Sequence, residues 1–231
     1  MKTKTQFIRT LAAVGLLAGL CTGLQTLRAE DAPAAVTTTN QQVQATNNDQ
    51  TLPAGTAPVA EAVKLPFVIY DGGGSANNHY SPSGMAGGKV DESCTNNPHS
   101  GNTCLRCDYT MPAELDTNGI WHGVIWMDPP NDWGDQPGGY NLTGAKKLSF
   151  WVRGEKGGET VNFKFGIIAE GAKFHDSATG ETGDLPLTTE WTEHSIDLTG
   201  ASLTRIKTGF VWMLAPQSPS VTFYLDDIRY E

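Results

Sequence analysis

The sequence predicts an all-β protein, a sandwich of antiparallel strands. Three observations carry this. Short apolar segments alternate with polar residues, the period of a half-buried strand. Gly, Asn, Asp and Pro punctuate the chain between those segments, the residues that turns demand. No segment sustains the 3.6-residue period of an amphipathic helix, and many short strands joined by turns argue for a sandwich or a barrel.

Strands are expected near 66–71, 103–110, 120–127, 147–153, 160–168, 192–198, 206–214 and 220–229. Alternation assigns their faces. Leu148, Phe150 and Val152 point one way, and Ser149, Trp151 and Arg153 the other. Val161, Phe163 and Phe165 form an apolar face opposite Asn162 and Lys164. Val221, Phe223 and Leu225 oppose Thr222, Tyr224 and Asp226 in the last strand. The core therefore takes Leu148, Phe150, Val152, Phe163, Phe165, Phe223 and Leu225. At least one sheet must then carry polar and aromatic side chains on its outer face. The expected domain, 64–231, is long enough to bury a core of its own.

The residues ahead of that domain read differently. Lys2, Lys4 and Arg9 precede an apolar run from Leu11 to Leu20, and small and polar residues lead to Ala29. This is the pattern of a secretory signal peptide over 1–29, with a run too short for the ~20 residues that span a bilayer. A secreted, extracellular or periplasmic protein is expected, with no membrane insertion after cleavage. Residues 30–63 are rich in Ala, Thr, Asn, Gln and Pro and show no period, so they read as a disordered tether.

Cleavage after Ala29 removes four of the 16 basic residues and none of the 25 acidic ones, leaving a net charge of −13. Such a surface repels phosphate backbones and anionic lipid, which argues against nucleic acid and membrane partners. Neutral glycans, metal cations and basic partners stay open. A monomer is expected.

Cys94, Cys104 and Cys107 remain after cleavage, and export permits disulfides. Leu105 and Cys107 share one strand face and Cys104 lies on the other. Cys107 is therefore expected as a buried thiol, with Cys94 and Cys104 bridged. The Cys104-x-x-Cys107 spacing lacks the second ligand pair of a zinc site and the βαβ setting of a thioredoxin-like one.

Enzyme motifs are sparse. No strand carries alternating Glu-x-Asp-x-Glu, and no Gly-x-Ser-x-Gly elbow or phosphate loop occurs. His79, His99, His122, His175 and His194 are dispersed, without the spacing of a zinc peptidase. A site assembled from distant residues, such as His79, Tyr80 and His122, stays open; a Tyr/His lyase would use such a set.

Several segments resemble a known group. Val68-Ile69-Tyr70-Asp71 runs into a Gly-rich loop and then Ser81-Pro82-Ser83-Gly84. Asn141-Leu142-Thr143-Gly144 introduces the strand ending at Arg153, and the chain closes on Phe223-Tyr224-Leu225-Asp226-Asp227-Ile228-Arg229-Tyr230. These are similar to galactose-binding-domain-like jelly-roll carbohydrate-binding modules, including family 11. The resemblance covers nearly all of 66–231. It implies a jelly-roll sandwich of about eight to ten antiparallel strands that binds a polysaccharide or oligosaccharide without catalysis. A polysaccharide lyase or glycoside hydrolase on the same scaffold is the first alternative, and a structural or adhesive surface protein the second. It also implies a structural Ca²⁺ held by Asp71, Gly73, Ser75 and Asp227.

Aromatic residues suggest where a sugar would sit. A Trp offers a flat apolar face and one N–H donor, which suits a sugar ring with C–H patches and hydroxyls. All six Trp residues lie in the domain. Trp121 and Trp126 fall on opposite strand faces, so one of them is core. Trp151 on the polar strand face and Trp133 in the long Asp128–Tyr140 loop are the expected stacking surfaces. Arg153, Asp132 and Asp135 are expected to bind hydroxyls, with His79, Tyr80 and Tyr140 at the rim.

Overall fold

A computed structural model describes residues 60–110, 122–214 and 220–231. The expected signal peptide, most of the expected tether and Trp121 lie outside the described residues. Contacts divide the chain into Met1–Thr51 and Leu52–Glu231, and all described residues belong to the second unit.

Eleven strands form two antiparallel sheets. They are β1 (Phe67–Tyr70), β2 (Ser81–Met85), β3 (Gly88–Cys94), β4 (Cys104–Thr110), β5 (His122–Met127), β6 (Lys147–Gly154), β7 (Thr160–Phe165), β8 (Gly180–Pro186), β9 (Thr192–Asp197), β10 (Thr208–Leu214) and β11 (Ser220–Tyr230). One sheet has the order β3-β4-β11-β6-β9, with β1 also pairing β11; the other has the order β2-β5-β10-β7-β8. Place by place, the two orders are filled by sequence neighbours: β2 with β3, β4 with β5, β6 with β7, β8 with β9, β10 with β11. The chain thus passes repeatedly from one sheet to the other, as a jelly roll requires.

Eight strands fall where alternation and turn signals place them. β2, β3 and β8 raise the count above the eight to ten expected. β2 reads Ser-Pro-Ser-Gly-Met and β8 Gly-Glu-Thr-Gly-Asp-Leu-Pro, with too few apolar residues to show a period. Both are edge strands, where Pro and Gly cost the least. The folded unit also begins earlier than residue 64. Val63 donates its N–H to Asn141 O at 2.9 Å, and Asn141 Nδ2 donates to Ala60 O at 2.7 Å. Residues 60–63 are docked on the sandwich, not part of a free tether.

The core lies between the sheets and matches the alternation. Leu148, Phe150, Val152, Val161, Phe163, Phe165, Val221, Phe223 and Leu225 all enter one buried cluster. Aromatic rings dominate it. Phe163 sits 4.7 Å from Phe150 and 5.9 Å from Phe210, and Trp212 meets Phe223 edge-on at 5.1 Å across the sheets. Trp126 is fully buried in the same cluster.

β5 and β10 are buried along their whole length and carry apolar residues on both faces. Their inward residues Val124, Trp126, Phe210, Trp212 and Leu214 join the main core. Their outward residues Ile125, Met127, Val211 and Met213 form a second buried cluster with Ile168. The nearly continuous apolar runs Val124–Met127 and Phe210–Leu214 are the sequence trace of this double burial. Loops after β5 and β7 therefore cover part of the outer face of the five-stranded sheet.

Phe163 tests the aromatic centre. Phe163→Ala should destabilise the domain by about 3–5 kcal/mol, since it removes a ring from a site that cannot collapse. Urea denaturation should show a lower midpoint at an unchanged slope.

Candidate functional site

The outer face of the five-stranded sheet holds a groove of about 450 Å³. Register places the residues of this sheet face in rows. Ser83, Ile125, Val211 and Lys164 stand side by side across β2, β5, β10 and β7, with Glu181 of β8 beyond. The next row runs Met85, Gly123, Met213, Asn162 and Asp184. The floor is thus apolar on the β2 and β10 side and polar on the β7 and β8 side. Trp133, Ile167 and Ala169 rise from the two covering loops to form the wall.

Trp133 is 52% exposed, the one large apolar side chain left open among the described residues. Its loop is held from below. Lys207 is fully buried, and its Nζ donates to Asp132 Oδ2 and to Gln136 O. Asp132 in turn accepts the N–H groups of Gly134 and Gln136, so both residues flanking Trp133 are pinned. Burial alone would push the Asp132 carboxyl up, but the Lys207 ammonium and the two N–H donors outweigh it and hold it below its usual range. Gly134 has φ +98°, and a Cβ there would stand 2.6 Å from Ala172 Cβ. Only glycine lets the Trp133 loop lie this close to the 167–176 loop.

The second covering loop is held by Asp176. Its Oδ2 accepts from Ile168 N and Thr208 Oγ1 at 2.8 and 2.7 Å, and its Oδ1 from the N–H groups of Lys207 and Thr208. Burial raises this carboxyl above its usual range even though four donors favour the anion.

The polar wall is a hydrogen-bonded set. Lys164 Nζ and Asn162 Nδ2 both donate to Glu181 Oε2. Lys164 and then Asn162 hold the Glu181 carboxyl below its usual range. Asn162 Oδ1 is buried without a hydrogen-bond partner. The groove therefore pairs a flat indole and apolar floor with donors and acceptors whose charges cancel locally.

The eight residues expected at one sugar site occupy three places. Trp133 lines the groove, and Asp135 is exposed two residues further along the loop. Asp132 belongs to the same loop but faces inward, so its carboxylate is an anchor and not a ligand for hydroxyls. His79, Tyr80 and Tyr140 gather around Phe67 elsewhere, with ring centroids 4.0, 6.1 and 4.7 Å from it. Tyr80 is buried there and donates its hydroxyl to Ile206 O, while Tyr140 donates to His79 O. That cluster closes the sandwich where the chain enters it.

Trp151 and Arg153 lie on the outer face of the other sheet, beneath the β3–β4 loop. The His99 ring stacks on Trp151 at 3.8 Å and 15°. Arg153 is buried over the Tyr224 ring at 3.7 Å and donates to Asn96 O at 2.8 Å. An indole flanked by polar residues on a strand reads as an open patch, but a loop from distant sequence covers it.

The residues missed by sequence reasoning are Met85, Met213, Thr179 and Ile167. The doubly buried runs in β5 and β10 were the available signal, because they require loops over the outer face.

The side chains expected to hold calcium have protein partners. Asp227 Oδ2 pairs with His99 Nδ1 and its Oδ1 accepts from Ser100 Oγ. Gly73 N donates to Thr103 Oγ1, and Ser75 Oγ accepts from Asn77 N. Asp71 Oδ2 accepts from Asn77 Nδ2, which leaves its buried Oδ1 as the one unpartnered carboxylate oxygen of the set. Calcium takes six to eight oxygens. Among the described residues no three His, Cys, Asp or Glu side chains gather into a metal site.

No protein-family model matches the sequence, and no curated protein matches it. Solved structures do align with it. A family 11 carbohydrate-binding module of a cellulosomal cellulase from Clostridium thermocellum is 13% identical, with a TM-score of 0.46, covering 74% of this chain and 95% of that one. A family 30 module of another cellulosomal cellulase from the same organism is 17% identical, with a TM-score of 0.45 and coverage of 73% and 98%. A family 29 module in complex with mannohexaose is 12% identical, with a TM-score of 0.42 and coverage of 71% and 88%.

Two measurements probe this region. Lys207→Met leaves the Asp132 carboxylate buried and unpaired, which should cost about 3–5 kcal/mol in denaturant unfolding. In the parent chain, the contribution of Asp132 has a definite pH sign. It is complete above the ordinary carboxyl range, near pH 4. It is lost as pH falls through the lower folded-state value, because the unfolded chain then binds the proton more readily. Trp133 fluorescence should therefore report loosening of the loop below that range. Melting with chelator and then with excess calcium decides the calcium expectation: a rise with calcium supports the site, and an unchanged melting temperature means that there is none.

Proposed function

We propose that the protein binds a neutral glycan in the groove beside Trp133, as a non-catalytic carbohydrate-binding protein acting outside the cytoplasm. The observation that carries this is the exposed Trp133 indole sharing a groove with the apolar Met85, Met213 and Ile167 and with Thr179 and Lys164, the last hydrogen-bonded to Glu181. A pyranose ring has one face of C–H groups and a rim of hydroxyls. The indole and Met213 suit the first, while the wall and Thr179 suit the second.

Charge favours a neutral ligand. Glu181 neutralises Lys164, which lines the groove, and the net charge of −13 expected after cleavage repels polyanions. The export signal read at 1–29 supports a target outside the cell, an exposed polysaccharide of a cell wall, plant or alga. The resemblance of the first and last strands to carbohydrate-binding modules supports the same reading.

Affinity electrophoresis through a panel of neutral polysaccharides tests it. Trp133→Ala should lower affinity about tenfold, the loss of one stacking contact of about 1.4 kcal/mol. Its melting temperature should stay within about 1 °C of the parent, because an exposed side chain carries little packing energy. Retention should change little with salt. Trp151→Ala should do the reverse, lowering the melting temperature and sparing retention. Released reducing or unsaturated ends would instead favour the hydrolase or lyase reading. Retention that survives Trp133→Ala would remove the groove as the site.

A further inference from the structure

Residues 95–103 lie across the outer face of the six-stranded sheet, the face opposite the groove. Their polar contacts are dense. The N–H groups of His99 and Ser100 donate to Asp226 Oδ2 at 3.0 and 3.2 Å. Asn97 O accepts from Trp191 Nε1 at 2.9 Å, and Asn96 Nδ2 donates to Tyr224 Oη at 2.9 Å. With the His99–Trp151 stack, the loop forms a strap over Trp151, Arg153 and Tyr224.

The two ends of this strap are cysteines. Cys94 is the last residue of β3 and Cys104 the first of β4, and they are direct cross-strand partners. A regular ladder continuing from Asp91↔Arg106 would set Ser93 against Cys104. The bulge between Asp91 and Cys94 adds one residue and brings Cys94 into that place instead. Cys104 Sγ donates to Asn96 O of the strap at 3.8 Å. Cys107, by contrast, points into the core, where burial pushes its thiol well up, and it contacts Trp212.

We propose that Cys94 and Cys104 are a thiol–disulfide pair whose oxidation staples the 95–103 strap over Trp151, while Cys107 stays a thiol. The co-reactant is a small external disulfide. Cys94 is the more exposed of the two, and burial together with the neighbouring Cys94 pushes the Cys104 thiol up to about 12. Cys94 therefore attacks first as the thiolate, forming a mixed disulfide and releasing one thiol from the oxidant. Cys104 then displaces the second thiol. The two cysteine thiols lose two electrons in forming one S–S bond, and the external disulfide gains them, leaving as two thiols that carry the protons. This assignment does not depend on the groove or its ligand.

The full chain, equilibrated in glutathione buffers of increasing oxidised fraction, alkylated and peptide-mapped, tests it. The expected product is a peptide pair linked through Cys94 and Cys104, with Cys107 alkylated only after unfolding. Reduction should lower the melting temperature by about 5–10 °C. It should also speed amide exchange within 95–103 and not in β5 or β10. Cys94→Ser in oxidising buffer should match the reduced parent, and Cys107→Ser should keep the redox response. Three protected or freely alkylated thiols in fully oxidising buffer, or a bridge from Cys94 or Cys104 to Cys107 or Cys21, overturns the proposal. So does a melting temperature and exchange pattern that ignore the redox buffer.

Discussion

The buried ammonium of Lys207 organises the face on which the candidate site lies. A lysine with no exposure in a β-sandwich needs an anion and further acceptors, or desolvation would unfold it. Asp132 and Gln136 O supply them, and both belong to the loop that carries Trp133. The backbone N–H of the same lysine donates to Asp176, which holds the second covering loop. One residue immediately before β10 therefore ties two loops, far apart in sequence, to a single point on the sheet. Satisfying the charge and positioning the indole are the same act. A hydrophobic anchor could stabilise the loops as well, but it would not fix their register against one another, because apolar contacts have no direction.

The two sheets handle their outer faces in opposite ways. On the six-stranded sheet, a strap from β3–β4 spends its polar groups on Asp226, Asp227, Tyr224 and Arg153 and closes the face. On the five-stranded sheet, the loops meet at Gly134 and stop short of β7 and β8, leaving Lys164, Glu181 and Thr179 bordering open space. Nothing in either strand pattern announces this difference. Trp151 and Trp133 look alike as exposed candidates when only neighbours in sequence are considered. Their fates differ because His99 stacks on one of them, while among the described residues no ring stacks on the other.

Asp132 shows the same limit at the scale of one side chain. An Asp beside a loop Trp has the chemistry of a sugar ligand, and it has equally the chemistry of an ion-pair partner. The choice was made by a lysine 75 residues away. Cys94 and Cys104 show the converse. Alternation alone separated Cys104 from Cys107, because a strand has only two faces, and the structure keeps that separation. The bulge that aligns Cys94 with Cys104 has no sequence signature of its own.

What the sequence by itself determined was every property with a short period. Fold class, the core faces of β6, β7 and β11, and the burial of Cys107 all follow from alternation over a few residues, and a one-residue slip would expose a whole face. Edge strands such as β2 and β8 escaped because they bury too little to leave a pattern. Tertiary structure alone decided which loop covers which face, that Trp151 is packed and Trp133 open, and that Asp132 serves Lys207. Those are contacts between residues tens of positions apart, set by the order in which a jelly roll lays its strands, and local chemistry is compatible with either outcome.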